Sequence, residues 1–294
     1  MKKLILLSAF FIGMISMNAQ DEAAEAPKQG WTKGGNISLL FNQSSFDNWA
    51  AGGVNNISGN LGVNYDFNYV KEDIIWDNKF IAAYGVTKLK GADQQKTDDR
   101  LELNSLVGKK AKGFWYYSAF LNFKTQMDSG FDADDNKTSH FFSPAYLQVG
   151  PGMLWKKSEN LHVNIAPATA RMIFVHDEFT AVGNTQAAID AFNAAGGYFG
   201  VEANETSRFE LGFALRGYYK LNLMENVSME NIISLYSNYL EDPQNVDLDY
   251  TMNLVMSINK YLSANLSFQT IYDDNAFKGF QTREVFGVGV NYGF

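Results

Sequence analysis

The sequence predicts an all-β fold, a single transmembrane antiparallel up-and-down β-barrel of about 12 strands. Three observations support this prediction. Segments in which apolar and polar residues alternate recur along the chain, and the connections between them alternate between short and long. Beyond the N-terminal segment, no apolar run approaches the roughly 20 residues that a membrane-spanning helix needs. A membrane protein without such helices requires a closed barrel, because lipid cannot satisfy unpaired strand backbone groups.

The first 20 residues are typical of a secretory signal peptide. Lys2 and Lys3 precede an apolar run from Leu4 to Met17, and Ala19 offers a small residue at a cleavage site. A buried N-terminal helix is disfavoured, because the chain becomes abruptly polar and acidic after residue 20. We therefore expect residues 1–20 to be removed, residues 21–33 to form a periplasmic leader and residues 34–294 to form the barrel.

The predicted strands have the two-residue period that places alternate side chains on opposite faces of a sheet. The second is the most regular, since Leu61, Val63 and Tyr65 alternate with Asn64 and Asp66. The ninth is less regular, because Asn231 falls among its apolar positions, which indicates a bulge or a different register. The predicted strands cover residues 34–45, 55–70, 74–88, 100–109, 114–127, 140–155, 161–174, 208–222, 227–239, 246–258, 262–272 and 280–294.

The lengths of the connections between these strands alternate along the chain. Those after even-numbered strands are short, such as residues 71–73 and 111–113, whereas those after odd-numbered strands are mostly long. Bacterial outer-membrane barrels combine short periplasmic turns, long external loops and an even number of strands. This alternation of short and long connections therefore predicts a porin-like barrel in the outer membrane of a Gram-negative cell. The longest loop, residues 175–207, has an Ala-rich stretch compatible with a short helix and a segment at 198–201 compatible with a short strand.

Aromatic residues mark the predicted membrane boundary and the last strand. Rings favour the headgroup level of a bilayer, and a group of them lies at predicted periplasmic strand ends. An aromatic residue that closes a regular strand is also typical of outer-membrane barrels, so we expect Tyr292 and Phe294 to act as an assembly signal. The group at the boundary consists of Tyr69, Trp76, Trp115, Tyr117, Trp155 and Tyr292.

Charged residues of both signs fall on the predicted inner faces of the strands. Inside a narrow lumen such charges must pair or remain hydrated, because an isolated buried charge is costly. Two hypotheses follow: the charges pair and fill the lumen, or a water-filled gap remains in which they select small solutes or ions. The predicted lumen residues are Asp66, Lys79, Arg100, Glu102, Lys124, Glu210, Arg216, Lys220, Glu230, Asp247, Asp249 and Glu284.

Composition and motifs exclude several functions. The formal net charge is −8, which argues against a nucleic-acid partner. The absence of cysteine excludes disulfides and thiol chemistry. The sequence contains no GxGxxG, P-loop or HExxH motif, so no cofactor is predicted.

A catalytic site is the alternative hypothesis, and it depends on the histidines. His140 lies beside Ser139 and Ser143, and His176 precedes Asp177. A serine hydrolase would need one of these histidines close to a serine at the barrel rim. No motif spacing supports this, so we expect a protein that is not an enzyme.

A weak candidate for a calcium site lies in the third long loop. Asp132, Asp134 and Asn136 have the spacing of the first three ligands of a calcium loop. However, Lys137 stands where such a loop needs glycine, and Ser143 where it needs glutamate. We therefore predict a solvated acidic loop and no metal site.

Several stretches resemble the Bacteroidota outer-membrane proteins grouped under domain of unknown function 3078. They are WTKGGNISLLFNQSSFDNWAAGG at 31–53, DNK at 77–79, QKTDDR at 95–100, LEDPQNVD at 240–247 and FGVGVNYGF at 286–294. The resemblance implies an outer-membrane barrel. It implies no activity and no catalytic residues.

Together these observations predict a non-enzymatic outer-membrane barrel that serves as a narrow channel or as a structural or scaffold component. The expected partners are outer-membrane lipid, lipopolysaccharide and the barrel-assembly machinery. Protein partners would dock on the external loops, where Phe46, Trp49 and residues 175–207 offer apolar side chains. A hydrolase at the extracellular rim remains the alternative.

Overall fold

A computed structural model describes residues 29–45, 54–132 and 134–294. The predicted signal peptide, most of the predicted leader, Phe46 and Trp49 lie outside the described residues. Among the described residues, no helix is both long enough and apolar enough to cross a membrane.

Twelve strands form a closed antiparallel barrel, which confirms the predicted fold class. Each barrel strand pairs with the barrel strands before and after it in sequence, and the last strand pairs with the first. The barrel strands are β1 (Gly30–Ser44), β2 (Asn56–Lys71), β3 (Ile74–Leu89), β4 (Gln94–Lys112), β5 (Trp115–Thr125), β8 (Ala145–Ser158), β9 (Leu161–Phe174), β10 (Ser207–Met224), β11 (Val227–Asn238), β12 (Asp247–Ser257), β13 (Leu262–Asp273) and β14 (Phe277–Gly293). Two short strands, β6 (Gly130–Phe131) and β7 (Lys137–Ser139), form a separate ribbon between β5 and β8.

The outer face of the barrel is apolar and the inner face is polar. On β1, Leu39 and Phe41 are exposed on the outside, whereas Asn36 and Ser38 alternate with them on the inside. Lipid is the solvent that accommodates so large an exposed apolar surface. A closed barrel with an even number of antiparallel strands and this alternation has the architecture of an outer-membrane protein. The protein therefore resides in the outer membrane.

The connections define two ends of the barrel. The short-turn end holds the two-residue turns after β2, β4, β8 and β10, and the opposite long-loop end holds residues 126–144 and 175–206. Two connections at the long-loop end are shorter than predicted, because β4 already begins at Gln94 and β14 at Phe277. The loop 175–206 contains a 3-10 turn (Asp177–Phe179) and the helix α1 (Gln186–Ala194). Since bacterial barrels carry short turns on the periplasmic side, the long-loop end faces outward.

Three predicted strand features differ from the structure. The strand predicted at 140–155 is β8, which begins at Ala145, because Pro144 has no N–H to donate to a ladder. The first strand begins at Gly30, where the Trp31 ring packs on Tyr69 at 5.1 Å between centroids. Asn231 causes no bulge in β11: it lies in register on the outer face, and its Oδ1 accepts a hydrogen bond from the Tyr250 hydroxyl at 2.9 Å.

The barrel closes where β1 meets β14. Residues 36–41 of β1 pair with residues 288–293 of β14. Gly35 and Phe294 extend this ladder by exchanging two backbone hydrogen bonds of 2.9 and 3.0 Å. Glycine is needed at this position, because a Cβ on Gly35 would lie 2.5 Å from the carbonyl oxygen of Asn64 and would crowd the rings of Tyr65 and Phe294.

Candidate functional site

Ion pairs cross the lumen in layers between the short-turn end and the long-loop end. Near the short-turn end, Lys79 Nζ on β3 lies 3.1 Å from Glu230 Oε1 on β11. These two strands lie on opposite sides of the ring of strands. Asp66 on β2 lies 3.7 Å from the same lysine nitrogen. This short-turn layer therefore spans the lumen from one wall to the other.

Glu102 is the centre of the middle layer. Its carboxylate is almost fully buried and contacts the guanidinium groups of Arg100 and Arg216, the latter at 3.3 Å. Asn104 and Asn122 donate side-chain hydrogen bonds to Glu102 at 2.8 and 3.1 Å. A buried carboxylate is stable only when it is paired and hydrogen-bonded in this way. The middle layer is therefore a satisfied polar network rather than an open gap.

A second part of the middle layer joins β5 to β12. Lys124 Nζ lies 2.7 Å from Asp249 Oδ2, and Gln269 donates to the other Asp249 oxygen at 2.8 Å. Arg283 on β14 pairs with Asp98 on β4. Above these residues a cavity of about 370 Å³ lies at the long-loop end. It forms a polar vestibule whose floor is the middle layer.

The loop-end layer surrounds Glu210, which is fully buried. Its carboxylate lies 2.6 Å from Arg171 Nε and 3.0 Å from Arg208 Nε. Arg171 also contacts Asp247 at 2.6 Å and lies over the Tyr236 ring, 4.2 Å from the centroid. The charge of each buried group in this layer is thus balanced by a neighbour on another strand.

The wall of the lumen is uneven. On one side Val70, Ile75 and Leu154 form a buried apolar cluster that extends to Leu106 and Tyr116. Apart from Leu40, Ile271 and Val285, the inner faces of β1, β13 and β14 carry small or polar residues. These are Asn36, Ser38, Asn265, Ser267, Gly287, Gly289 and Asn291.

The structure places the predicted lumen residues on the inner face, with one exception. Glu284 lies on the outer face, on the same side of β14 as Phe286 and opposite Phe268 in the register. No register shift separates Glu284 from Phe286, so the prediction of an inward side chain was wrong. On the inner face lie Asp66, Lys79, Arg100, Glu102, Lys124, Glu210, Arg216, Lys220, Glu230, Asp247 and Asp249.

Sequence reasoning missed Arg171, the most deeply buried cation of the loop-end layer. The alternation that begins at Leu161 predicts an outward side chain at position 171. The pairing of β9 shifts by one residue between Ala166 and Thr169, however, and turns Arg171 inward. Pro167 was the available signal, because proline inside a strand often marks a bulge.

The histidines occupy two different environments. His162 lies in the lumen, stacked on the Tyr218 ring at 4.8 Å between centroids. His140 and His176 come together at the long-loop end, with ring centroids 4.9 Å apart, and Glu178 lies beside them. Ser143, a candidate nucleophile of the hydrolase hypothesis, is fully buried, and its Oγ accepts the backbone N–H of His176 at 2.9 Å.

The weak calcium candidates form a hydrogen-bonded turn. The Asp132 carboxylate accepts backbone N–H groups from Asp134 and Asn136, both at 2.9 Å, and the Asn136 side-chain amide also donates to it. These hydrogen bonds, that from the Asn136 side chain first, lower the pKa of Asp132. The carboxylate oxygens are therefore already engaged in shaping the turn.

Solved structures similar to this chain are outer-membrane barrels. One is the translocator domain of the autotransporter NalP from Neisseria meningitidis, with a TM-score of 0.36, 10% identity, and coverage of 99% of this chain and 97% of that chain. Another is an outer membrane channel from Pseudomonas putida F1, with a TM-score of 0.40, 9% identity, and coverage of 94% and 99%. A third is the channel DcaP of Acinetobacter baumannii, with a TM-score of 0.33, 9% identity, and coverage of 92% and 100%. Likenesses this distant carry no information on transport, catalysis or partners.

The family comparison concerns the first third of the barrel. No curated protein matches the chain. Residues 41–131 match the family model described as Protein of unknown function (DUF3078), the same domain of unknown function that the sequence resembles.

Proposed function

We propose that the protein is a non-enzymatic barrel that passes small polar solutes or ions through a narrow path on one side of its lumen. The observation that carries this proposal is the exposure of Asp66. Its side chain is 47% exposed although it points into the barrel, whereas Lys79 and Glu230 in the same layer are 22% and 19% exposed. Water therefore reaches the lumen beside β2, where the neighbouring strand β1 carries the small polar side chains of Asn36 and Ser38.

The ion pairs limit the width of this path. A 3.1 Å contact between side chains from opposite walls leaves no central passage at the height of Lys79 and Glu230. The apolar cluster around Leu154 fills the lumen on the side of β3 and β8. We place the path along the inner faces of β1, β13 and β14, where most side chains are small or polar, so the path is off-centre and suits hydrated ions or small polar molecules.

Conductance measurement tests the proposal. Purified protein in a planar bilayer should give small, stable single-channel steps. The double variant Lys79→Ala/Glu230→Ala should give larger steps, because it removes the bridge across the lumen without leaving either partner unpaired. The control Glu284→Ala removes a charge from the outer face and should conduct like the parent. If the parent and the double variant are both silent while correctly folded, the channel proposal fails.

A structural or scaffold role is the second candidate, and the filled middle layer favours it. The buried network around Glu102 gives the barrel a rigid interior that transport does not require. This role predicts a silent bilayer and co-purification of a partner in mild detergent. Lipopolysaccharide, the barrel-assembly machinery and proteins that dock on the external loops are the partners proposed here, together with a Bacteroidota origin for the chain.

The burial of Ser143 supports the non-enzymatic part of the proposal. A nucleophile must reach its substrate, whereas this hydroxyl is enclosed and accepts a backbone hydrogen bond from His176. The carboxylate that faces His140 is Glu178, which is also paired with Lys137. Hydrolase activity that disappears in His140→Ala or His176→Ala would contradict this part of the proposal.

A further inference from the structure

We propose that His140, His176 and Glu178 form a binding site for a divalent transition metal, with Zn²⁺ as the best fit, that joins two external loops. His140 belongs to the loop between β5 and β8, whereas His176 and Glu178 belong to the loop between β9 and β10. The site lies at the long-loop end and is separate from the proposed channel. Its test is therefore independent of the proposed function.

The three side chains already converge. His140 Nε2 lies 2.9 Å from Glu178 Oε1, and one potential ligand atom from each residue lies within 4.8 Å of the other two. Ligands bound to one zinc ion at 2.0–2.2 Å stand roughly 3–3.5 Å apart. Small side-chain rotations therefore suffice to close the set around an ion, and water can complete a tetrahedron.

The orientation of the His140 ring suits metal binding. Its Nδ1 lies 2.7 Å from the backbone carbonyl oxygen of Phe141, which can only accept a hydrogen bond. Nδ1 therefore donates to this carbonyl, which leaves Nε2, 2.9 Å from Glu178 Oε1, as the ligand atom, and a metal ion bound there would take the place of the proton shared between Nε2 and the carboxylate. Histidines that bind metals are commonly oriented in this way by a carbonyl or carboxylate on the other ring nitrogen.

The two loops are held together without a metal, so the site is preorganised. The Phe179 and Tyr198 rings stack at 4.6 Å within the loop 175–206, and the Tyr198 hydroxyl donates a hydrogen bond across to the carbonyl oxygen of Thr138 in the other loop. Burial raises the pKa of Tyr198 to about 12, which keeps this hydroxyl protonated. The backbone N–H of His176 bonds to Ser143 across the same interface. Binding thus requires little ordering of the chain.

Lys137 is the competitor for this site. Its Nζ lies 2.7 Å from Glu178 Oε1, where it supplies the positive charge that a metal ion would replace. The lysine side chain is 37% exposed and can turn toward water. Removing this ammonium should therefore strengthen metal binding, a result not expected if the cluster were only a surface ion pair.

The residue types identify the class of metal. Two imidazoles with one carboxylate suit zinc and other late first-row ions, whereas Ca²⁺ and Mg²⁺ prefer oxygen ligands alone. Asp177, whose Oδ1 lies 2.9 Å from His176 Nδ1, does not change this choice, because one further carboxylate still leaves two imidazoles in the set. We therefore expect Zn²⁺ or Co²⁺ to bind and Ca²⁺ not to bind.

Titration with metal alone tests the inference. Full-length protein without a polyhistidine tag, folded in detergent and treated with chelator, is titrated with Zn²⁺ by calorimetry and with Co²⁺ by visible absorption. We expect one ion per chain and the absorption bands of a tetrahedral cobalt site. His140→Ala and His176→Ala should each weaken binding by about tenfold or more, since each removes one of three ligands. Lys137→Met should strengthen it.

His162→Ala is the matched control, because this histidine lies in the lumen and not in the cluster. Heat-modifiable gel mobility shows for each variant that the barrel has folded. Equal zinc affinity in the His140→Ala, His176→Ala and His162→Ala variants would overturn the assignment, and so would the absence of binding to the folded parent. Weaker binding in Lys137→Met would show that this lysine is not a competitor of the metal.

Discussion

Phe294 supports barrel closure through both its backbone and its ring. It exchanges two hydrogen bonds with Gly35, and its ring stacks on Tyr65 with 5.9 Å between centroids. Deletion of Phe294 removes all of these contacts from a ladder that otherwise covers only residues 36–41 of β1. We propose that these contacts, with Tyr292, underlie the assembly role expected from the sequence.

Deletion of Phe294 should lower the yield of inserted, heat-modifiable barrel in membrane fractions. Phe294→Ala should have a smaller effect, because it keeps both backbone hydrogen bonds. Phe131→Ala serves as the control, since it removes a similarly exposed phenylalanine from a loop at the other end of the barrel. Normal insertion of the deletion variant would show that closure does not depend on this residue.

At the scale of the element, the bulge in β9 decides which side chains enter the lumen. The extra residue between Ala166 and Thr169 turns Arg171 inward toward Glu210. The facing strand β8 accommodates the bulge with two glycines. A Cβ on Gly150 would meet the carbonyl oxygen of Ala168 at 2.9 Å. A Cβ on Gly152 would lie in hard contact with the carbonyl oxygen of Ile165.

Gly152→Ala should therefore destabilise the barrel, because β8 and β9 would have to separate at the bulge. We expect a lower temperature for the shift between folded and unfolded gel bands, by several degrees for a cost of a few kcal/mol. Gly293→Ala is the matched control in another strand, since its Cβ would meet Gly35 oxygen at an ordinary 3.8 Å. An unchanged transition in Gly152→Ala would contradict the close approach of β8 to β9.

The strands could be predicted from the sequence wherever the two-residue period continues unbroken. Residues 56–71 are such a case, because lipid on one side and a polar lumen on the other select alternate residues. The period alone cannot show a bulge, so the orientation of Arg171 was missed. The turn at residues 140–144 was also missed, because Phe141 and Phe142 resemble the residues of a strand.

At the scale of the whole molecule, the inner face was predictable but its pairings were not. Alternation placed Lys79 and Glu230 inside, yet their contact depends on the position of β3 and β11 on opposite sides of the ring. The cluster of His140 and His176 likewise depends on how two loops fold over the same end of the barrel. Contacts of this kind arise only when the ring of strands is closed.

Closure itself can be tested with a cross-link between β1 and β14. Ser38 lies opposite Asn291. Hydrogen-bonded and non-hydrogen-bonded pairs alternate along an antiparallel ladder, and Gly35 and Phe294 form a hydrogen-bonded pair. Ser38 and Asn291 lie three positions further along, so they form the non-hydrogen-bonded type of pair, in which the side chains are closer. The chain contains no cysteine, so a disulfide in a double variant can form only between the introduced residues. Ser38→Cys/Asn291→Cys should oxidise readily and remain cross-linked after boiling without reductant.

The control for this experiment is Ser38→Cys/Ser267→Cys, in which the second cysteine lies on the inner face of β13, one strand further round the barrel. Because the two residues are not on neighbouring strands, their Cα atoms are too far apart for a disulfide of normal geometry. Boiled, non-reduced samples of the first pair should migrate at an altered position on a denaturing gel, and those of the control should migrate like the parent. If the first pair fails to cross-link in folded protein, or if both pairs cross-link equally, β1 and β14 do not meet in this register.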